Sequence, residues 1–122
     1  MKFLCLIYLS EEEMDAMPAA DMNALNVKHL DFNDGLRASG RFIEAEALEP
    51  AGATACVRVR SGKASVTDGP FAETKEQVAG FYLIDARDRN EAIRIAAKIP
   101  SAPLGTVEVR AVRTLIVDGR KP

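Results

Sequence analysis

Three acids, a lysine and a threonine are gathered about a Gly-Pro turn in Asp68-Gly69-Pro70-Phe71-Ala72-Glu73-Thr74-Lys75-Glu76, a composition that neither a core nor an ordinary loop explains. Held by a rigid turn, Asp68 offers a carboxylate for acid–base work or for anchoring a substrate; the plainer use of an Asp-Gly pair is to cap its own turn. Glu73 and Lys75 set a carboxylate and an ammonium around a small polar or anionic ligand, or else pair locally in solvent. Phe71 is expected to be a core plug that holds the loop down.

His29 is the chain's single histidine. An imidazole titrates near pH ~6.5, so at a cleft it suits a general acid or base; the bland alternative is a core histidine bonded to a backbone carbonyl. Arg58, Arg60 and Arg110 could clamp a carboxylate through paired N–H bonds, or pair with Glu44, Glu46 and Glu108. The candidates are therefore His29 and Asp68 for chemistry, with Lys75, Glu73, Arg58 and Arg110 for ligand binding. One histidine leaves the usual zinc or iron sites short of ligands, so no structural metal is expected. With no Gly-x-Ser-x-Gly, no cysteine–histidine motif and no glycine-rich phosphate loop, nucleophilic and phosphoryl chemistry rank below proton transfer, and no cofactor is expected. Cys5 and Cys56 lie in apolar runs without CxxC spacing and read as buried reduced thiols.

These residues need elements to hold them. Lys2 to Leu9 and Val78 to Ile84 are apolar at nearly every position, as strands covered on both faces must be. Ser10-Glu11-Glu12-Glu13 fits a capping box before a short helical turn ending near Pro18. A longer helix then runs to about Ser39, with Met22, Leu25, His29, Phe32 and Leu36 on one stripe and Gly40 as its left-handed stop. Phe42 to Leu48 and Thr54 to Arg60 alternate, and if paired they bring Glu44 and Glu46 against Arg58 and Arg60. Ser61-Gly62-Lys63 turns into Ala64 to Thr67. Asp88 caps a second helix stopped by Pro100 and Pro103, and Thr106 to Ile116 makes the last strand.

The order predicts an α+β fold, a ferredoxin-like βαββαβ core with an inserted β-hairpin, an antiparallel sheet and its helices on one face. Two helices cannot cover both faces of such apolar strands, so a homodimer with sheets face to face is expected.

At 122 residues, the chain reads as one domain over 1–122 with a flexible tail at 118–122. A net charge of -2 and a pI near 5.4 give no footprint for nucleic acid. No apolar run approaches the roughly eighteen residues of a membrane span, and the start lacks a secretory cleavage pattern, so a cytoplasmic location is expected.

Val66-Thr67 and the nine residues Asp68 to Glu76, followed by Gly80-Phe81-Tyr82-Leu83-Ile84, resemble the signature of the DGPF group within the YCII-related superfamily. The opening Lys2 to Tyr8, the long helix with Gly40, the hairpin Val57 to Gly62 and Thr106 to Arg110 extend the resemblance over nearly the whole chain. It implies a dimeric α+β barrel in which two protomers close their sheets around shared clefts. Relatives carry a histidine on the first helix, as His29 does here, and pair it with an aspartate just before a proline after the second helix. That place holds Ile99 before Pro100, so the dyad is not reproduced, and Asp68 is the acid left to replace it. Two readings follow. The motif and the histidine on an apolar stripe suggest a small organic ligand bound near His29 and Asp68 with lyase- or isomerase-like proton transfer. The resemblance, since some DGPF members accompany extracytoplasmic-function sigma factors, implies as alternative a non-catalytic sensor partnering such a factor.

Overall fold

The apolar opening run becomes the central strand of an antiparallel sheet in the computed structural model of the protein, which describes residues 1–122. In chain order the strands are β1 (Lys2–Ser10), β2 (Phe42–Ala47), β3 (Ala55–Arg60), β4 (Lys63–Asp68), β5 (Glu76–Asp85) and β6 (Gly105–Ala111). The helices are α1 (Glu11–Asp15), α2 (Ala19–Ala38) and α3 (Arg89–Ala97). Four strands form the main sheet in the order β2-β5-β1-β6, while β3 and β4 form a separate two-stranded hairpin. This is the mixed α+β, ferredoxin-like arrangement with an inserted hairpin that the element order predicts.

Alternation along β1 decides the two faces. Phe3, Cys5, Ile7 and Leu9 are buried beneath the helices with Tyr82 and Ile84 from β5, Leu36 from α2, and Ala92 and Ala96 from α3. Burial holds the Cys5 thiol up at about 11, so it stays protonated and inert. On the opposite face Leu4 lies against Leu83 and Leu6 against Phe81, half-buried, with nothing from the same chain above them. Only 14 of 122 residues are buried, few for a chain this long, because that face is left open.

Local signals set the helix ends. Ser10 Oγ accepts from the Glu13 N–H at 3.3 Å and starts α1, and Asp88 Oδ1 accepts from the Glu91 N–H at 2.8 Å and starts α3. At the end of α2 the Gly40 N–H donates to Arg37 and the Arg41 N–H to Leu36, with Gly40 at φ 74°: a Schellman stop. Arg41 then meets Glu91 at 2.9 Å, tying the entry of β2 to α3.

Three expectations require correction. Strand β2 pairs with β5 and not with β3, so Glu44 and Glu46 never meet Arg58 and Arg60, which form no ion pair. A register shift between Phe42 and Glu44 also makes Ile43 a bulge, so the regular alternation begins only after it. Strand β6 ends at Ala111 and not near Ile116, because its partner β1 begins at Lys2 and the last bond runs from the Val112 N–H to the Lys2 carbonyl. In the tail, Val117 and Arg120 bond to each other across a tight turn at Asp118 and Gly119.

Candidate functional site

Between α1 and α2 above and β2 and β5 below lies a cavity of about 640 Å³, open at one side. His29 faces it from the middle of α2, where the stripe Met22, Leu25, His29, Phe32, Leu36 turns the ring toward the sheet. Tyr82 rises to meet it from β5, on the same face of the sheet as Ile84. His29 Nδ1 and the Tyr82 hydroxyl are 2.8 Å apart, the rings lie 6.0 Å apart at 23°, and Phe32 packs edge-on against Tyr82 at 5.7 Å.

Backbone geometry opens the floor. The β1–β5 ladder shifts register between Ile7 and Tyr8, leaving Ala79 without a β1 partner, and its carbonyl accepts from the Leu48 N–H at 2.9 Å. Such bulges bend a strand and are common beside functional sites. At Gly80 a Cβ would stand 2.7 Å from the Glu46 carbonyl oxygen, so only hydrogen lets β2 approach so closely.

Burial works on both members of the pair. It lowers the His29 pKa below its ordinary value and raises that of Tyr82 to about 12, so near neutrality both are uncharged. Two arrangements of the shared proton follow. If the phenol donates to Nδ1, the outer nitrogen Nε2 carries hydrogen and is a donor. If Nδ1–H donates to the phenolic oxygen, Nε2 is a free base and the phenol can donate elsewhere.

Around this pair the wall is mostly apolar, with half-buried Asn33 and buried Ser101 as polar neighbours. Asn33 stands one turn beyond His29 on the same helix face. The Asn33 Oδ1 and Ser101 Oγ atoms are buried without a hydrogen-bond partner, and Ser101 is only 2% exposed.

Of the six candidate catalytic and ligand-binding residues, His29 alone lines the cavity. Asp68 ends β4, exposed, on a hairpin that belongs to a different sheet, and one chain does not bring it to His29. Glu73 and Lys75 stand exposed in the loop before β5, and Arg58 is exposed on β3. Arg110 lies on the open face of the sheet, 3.6 Å from Glu108. The loop around Asp68 is tied down by bonds from its flanks to its backbone. The Gly69 N–H donates to the Thr54 carbonyl at 2.7 Å, Cys56 Sγ–H to the Gly69 carbonyl at 3.4 Å, and Gln77 Nε2 to Ala72 and Thr74, each at 3.0 Å. Phe71 is not the expected core plug. It is 85% exposed, since these bonds already hold the loop and the hairpin stands off the core.

Tyr82, Asn33 and Ser101 were not legible as site residues. Tyr82 sits in an apolar strand, and its hydroxyl was the one available signal. Asn33 follows His29 by four residues, a spacing that could have marked it. Ile99, at the place where an acid was expected, is 1% exposed and part of the core, while Ser101 two residues later reaches the cavity wall.

An uncharacterised protein of Rhizobium meliloti (strain 1021) is 37% identical over 101 residues, covering 81% of this chain and 76% of its own length. The YCII-related domain family matches residues 1–116, which takes in every strand and helix and both His29 and Tyr82. The chain therefore belongs to the YCII-related domain family.

Proposed function

We propose that the protein binds a small organic molecule in the cavity beside His29 and Tyr82 and moves a proton on it. The observation that carries this reading is the 2.8 Å contact between His29 Nδ1 and the Tyr82 hydroxyl on the wall of a 640 Å³ cavity. Sites for small molecules are typically concave, mostly apolar and furnished with a few convergent polar groups. In the arrangement with Nδ1–H bonded to the phenol, Nε2 takes a proton from an acidic C–H or O–H of the ligand and later returns it to a neighbouring atom, which is isomerase- or lyase-like chemistry.

Two copies packed through the open face of the sheet would cover Leu4, Leu6, Tyr8, Phe81 and Leu83. Such a dimer would close two sheets around shared clefts, as the resemblance to the DGPF group implies. A thermal-shift screen of small organic molecules tests the reading, repeated on His29→Ala and Tyr82→Phe. A compound that stabilises the parent but neither variant supports it by mass action. Compounds that stabilise all three equally would remove the pair from the site.

A sensor that contacts a protein such as a sigma factor is the second reading. It is favoured by the exposed apolar surface of the hairpin and the loop after it, where Val57, Val59, Val66 and Phe71 are between 57% and 85% exposed. Recovery of a stoichiometric sigma factor on co-purification, lost in Val57→Lys, would support it; its absence would leave the ligand-binding reading alone.

A further inference from the structure

We infer that the cavity is shaped for an uncharged, largely apolar molecule bearing one neutral hydrogen-bonding group, such as an amide or a hydroxyl, and that it turns carboxylates and phosphates away. The inference rests on reading the cavity as the ligand site.

The wall carries no lysine or arginine. Its acids are Glu11, Asp15, Glu46 and Glu49, and the Glu11 carboxylate already accepts from the Ala51 N–H at 2.6 Å. An anion entering here would shed its water, meet no cation and approach like charge. His29 does not replace the missing cation, because burial favours its neutral form and Nδ1 is engaged by the phenol. The basic residues that suit an anion, Arg58, Lys75 and Arg110, stand outside the cavity.

The neutral polar atoms point the same way. Whichever way the proton shared with Tyr82 lies, His29 Nε2 remains one neutral donor or acceptor for a ligand, whereas Asn33 Oδ1 and Ser101 Oγ are sealed off from the cavity. The four acids do not call for a cationic ligand, since Asp15, Glu46 and Glu49 are exposed to solvent and Glu11 is engaged.

A series sharing one carbon skeleton tests this: 4-phenylbutanamide, 4-phenylbutanoate and 4-phenylbutylamine, titrated calorimetrically at pH 7.5 into the whole protein, with amide NMR shifts at His29 and Tyr82 reporting location. The amide should bind about tenfold more tightly than either charged analogue. Carboxylate or amine binding as tightly as the amide, with shifts at His29 and Tyr82, would overturn the inference and leave the cavity reading standing. If no analogue moves those signals at millimolar concentration, both fall together. Asn26→Lys, at an exposed position of α2 on the cavity wall, should fold normally and bring the carboxylate to within about threefold of the amide. An unchanged ratio in that variant would show that missing positive charge is not what excludes the anion.

Discussion

The hydrogen bond between His29 and Tyr82 decides which ring nitrogen is free, and burial decides that the ring is neutral. Because the folded pKa of His29 lies below its ordinary 6.5, the unfolded chain binds the extra proton first as pH falls. The stability that this group contributes is therefore complete above about 6.5 and is lost as pH drops from there through the folded value. Asp85 is held below its usual range chiefly by a hydrogen bond from the N-terminal ammonium, and Asp88 chiefly by the Glu91 N–H, so both titrate well beneath that window. Urea midpoints between pH 7.5 and 5.5 should fall for the parent and stay flatter for His29→Gln. Tyr82→Phe removes one buried hydrogen bond and should cost about 1 kcal/mol by urea unfolding, with little change in the m-value.

Two glycines separate space from conformation at the scale of the element. Gly35 lies within α2 with nothing near an added Cβ, and Gly35→Ala should raise stability by about 0.5–1 kcal/mol through helix propensity. Gly105 starts β6 with an added Cβ driven into the Tyr8 carbonyl oxygen, which is backbone and cannot swing aside. Gly105→Ala should cost about 2 kcal/mol or more and lower the melting temperature by several degrees, as calorimetry would read. The elements themselves were largely legible. Apolar runs gave β1 and β5, Ser10 and Asp88 marked two helix starts, and Gly40 marked a helix end. Strand pairing was not: β2 and β3 both alternate and look like neighbours, yet which ladder a strand joins is decided by distant residues, here those of β5. The same limit hid half of the site. His29 stood out because it broke an apolar stripe, whereas Tyr82 and Ser101 fitted their local patterns and became notable only when the fold placed them at one cavity. Asp68 drew attention through local composition, which carries no information about where a hairpin will stand.

For the whole molecule, the small buried core and the half-covered face around Leu6 and Phe81 belong together. If two copies close over that face, light scattering at micromolar concentration should give twice the mass of 13.2 kDa, and Leu6→Asp should give the single mass. A parent protein of single mass would remove the dimer from the reading and leave the open face unexplained.

The hairpin of β3 and β4 is joined to the rest by its two chain connections, the bonds at Gly69 close it on itself, and it shares no ladder with the main sheet. Its turn at Ser61 and Gly62, at φ 51° and 76°, matches strand twist, so it can close and open by itself. It should then behave as a separate cooperative unit. Its amides would exchange with deuterium far sooner than those of β1, and brief trypsin treatment would cut first at Arg58, Arg60 or Lys63. A slowing of both as protein concentration rises would mean that the arm is clasped by a second copy.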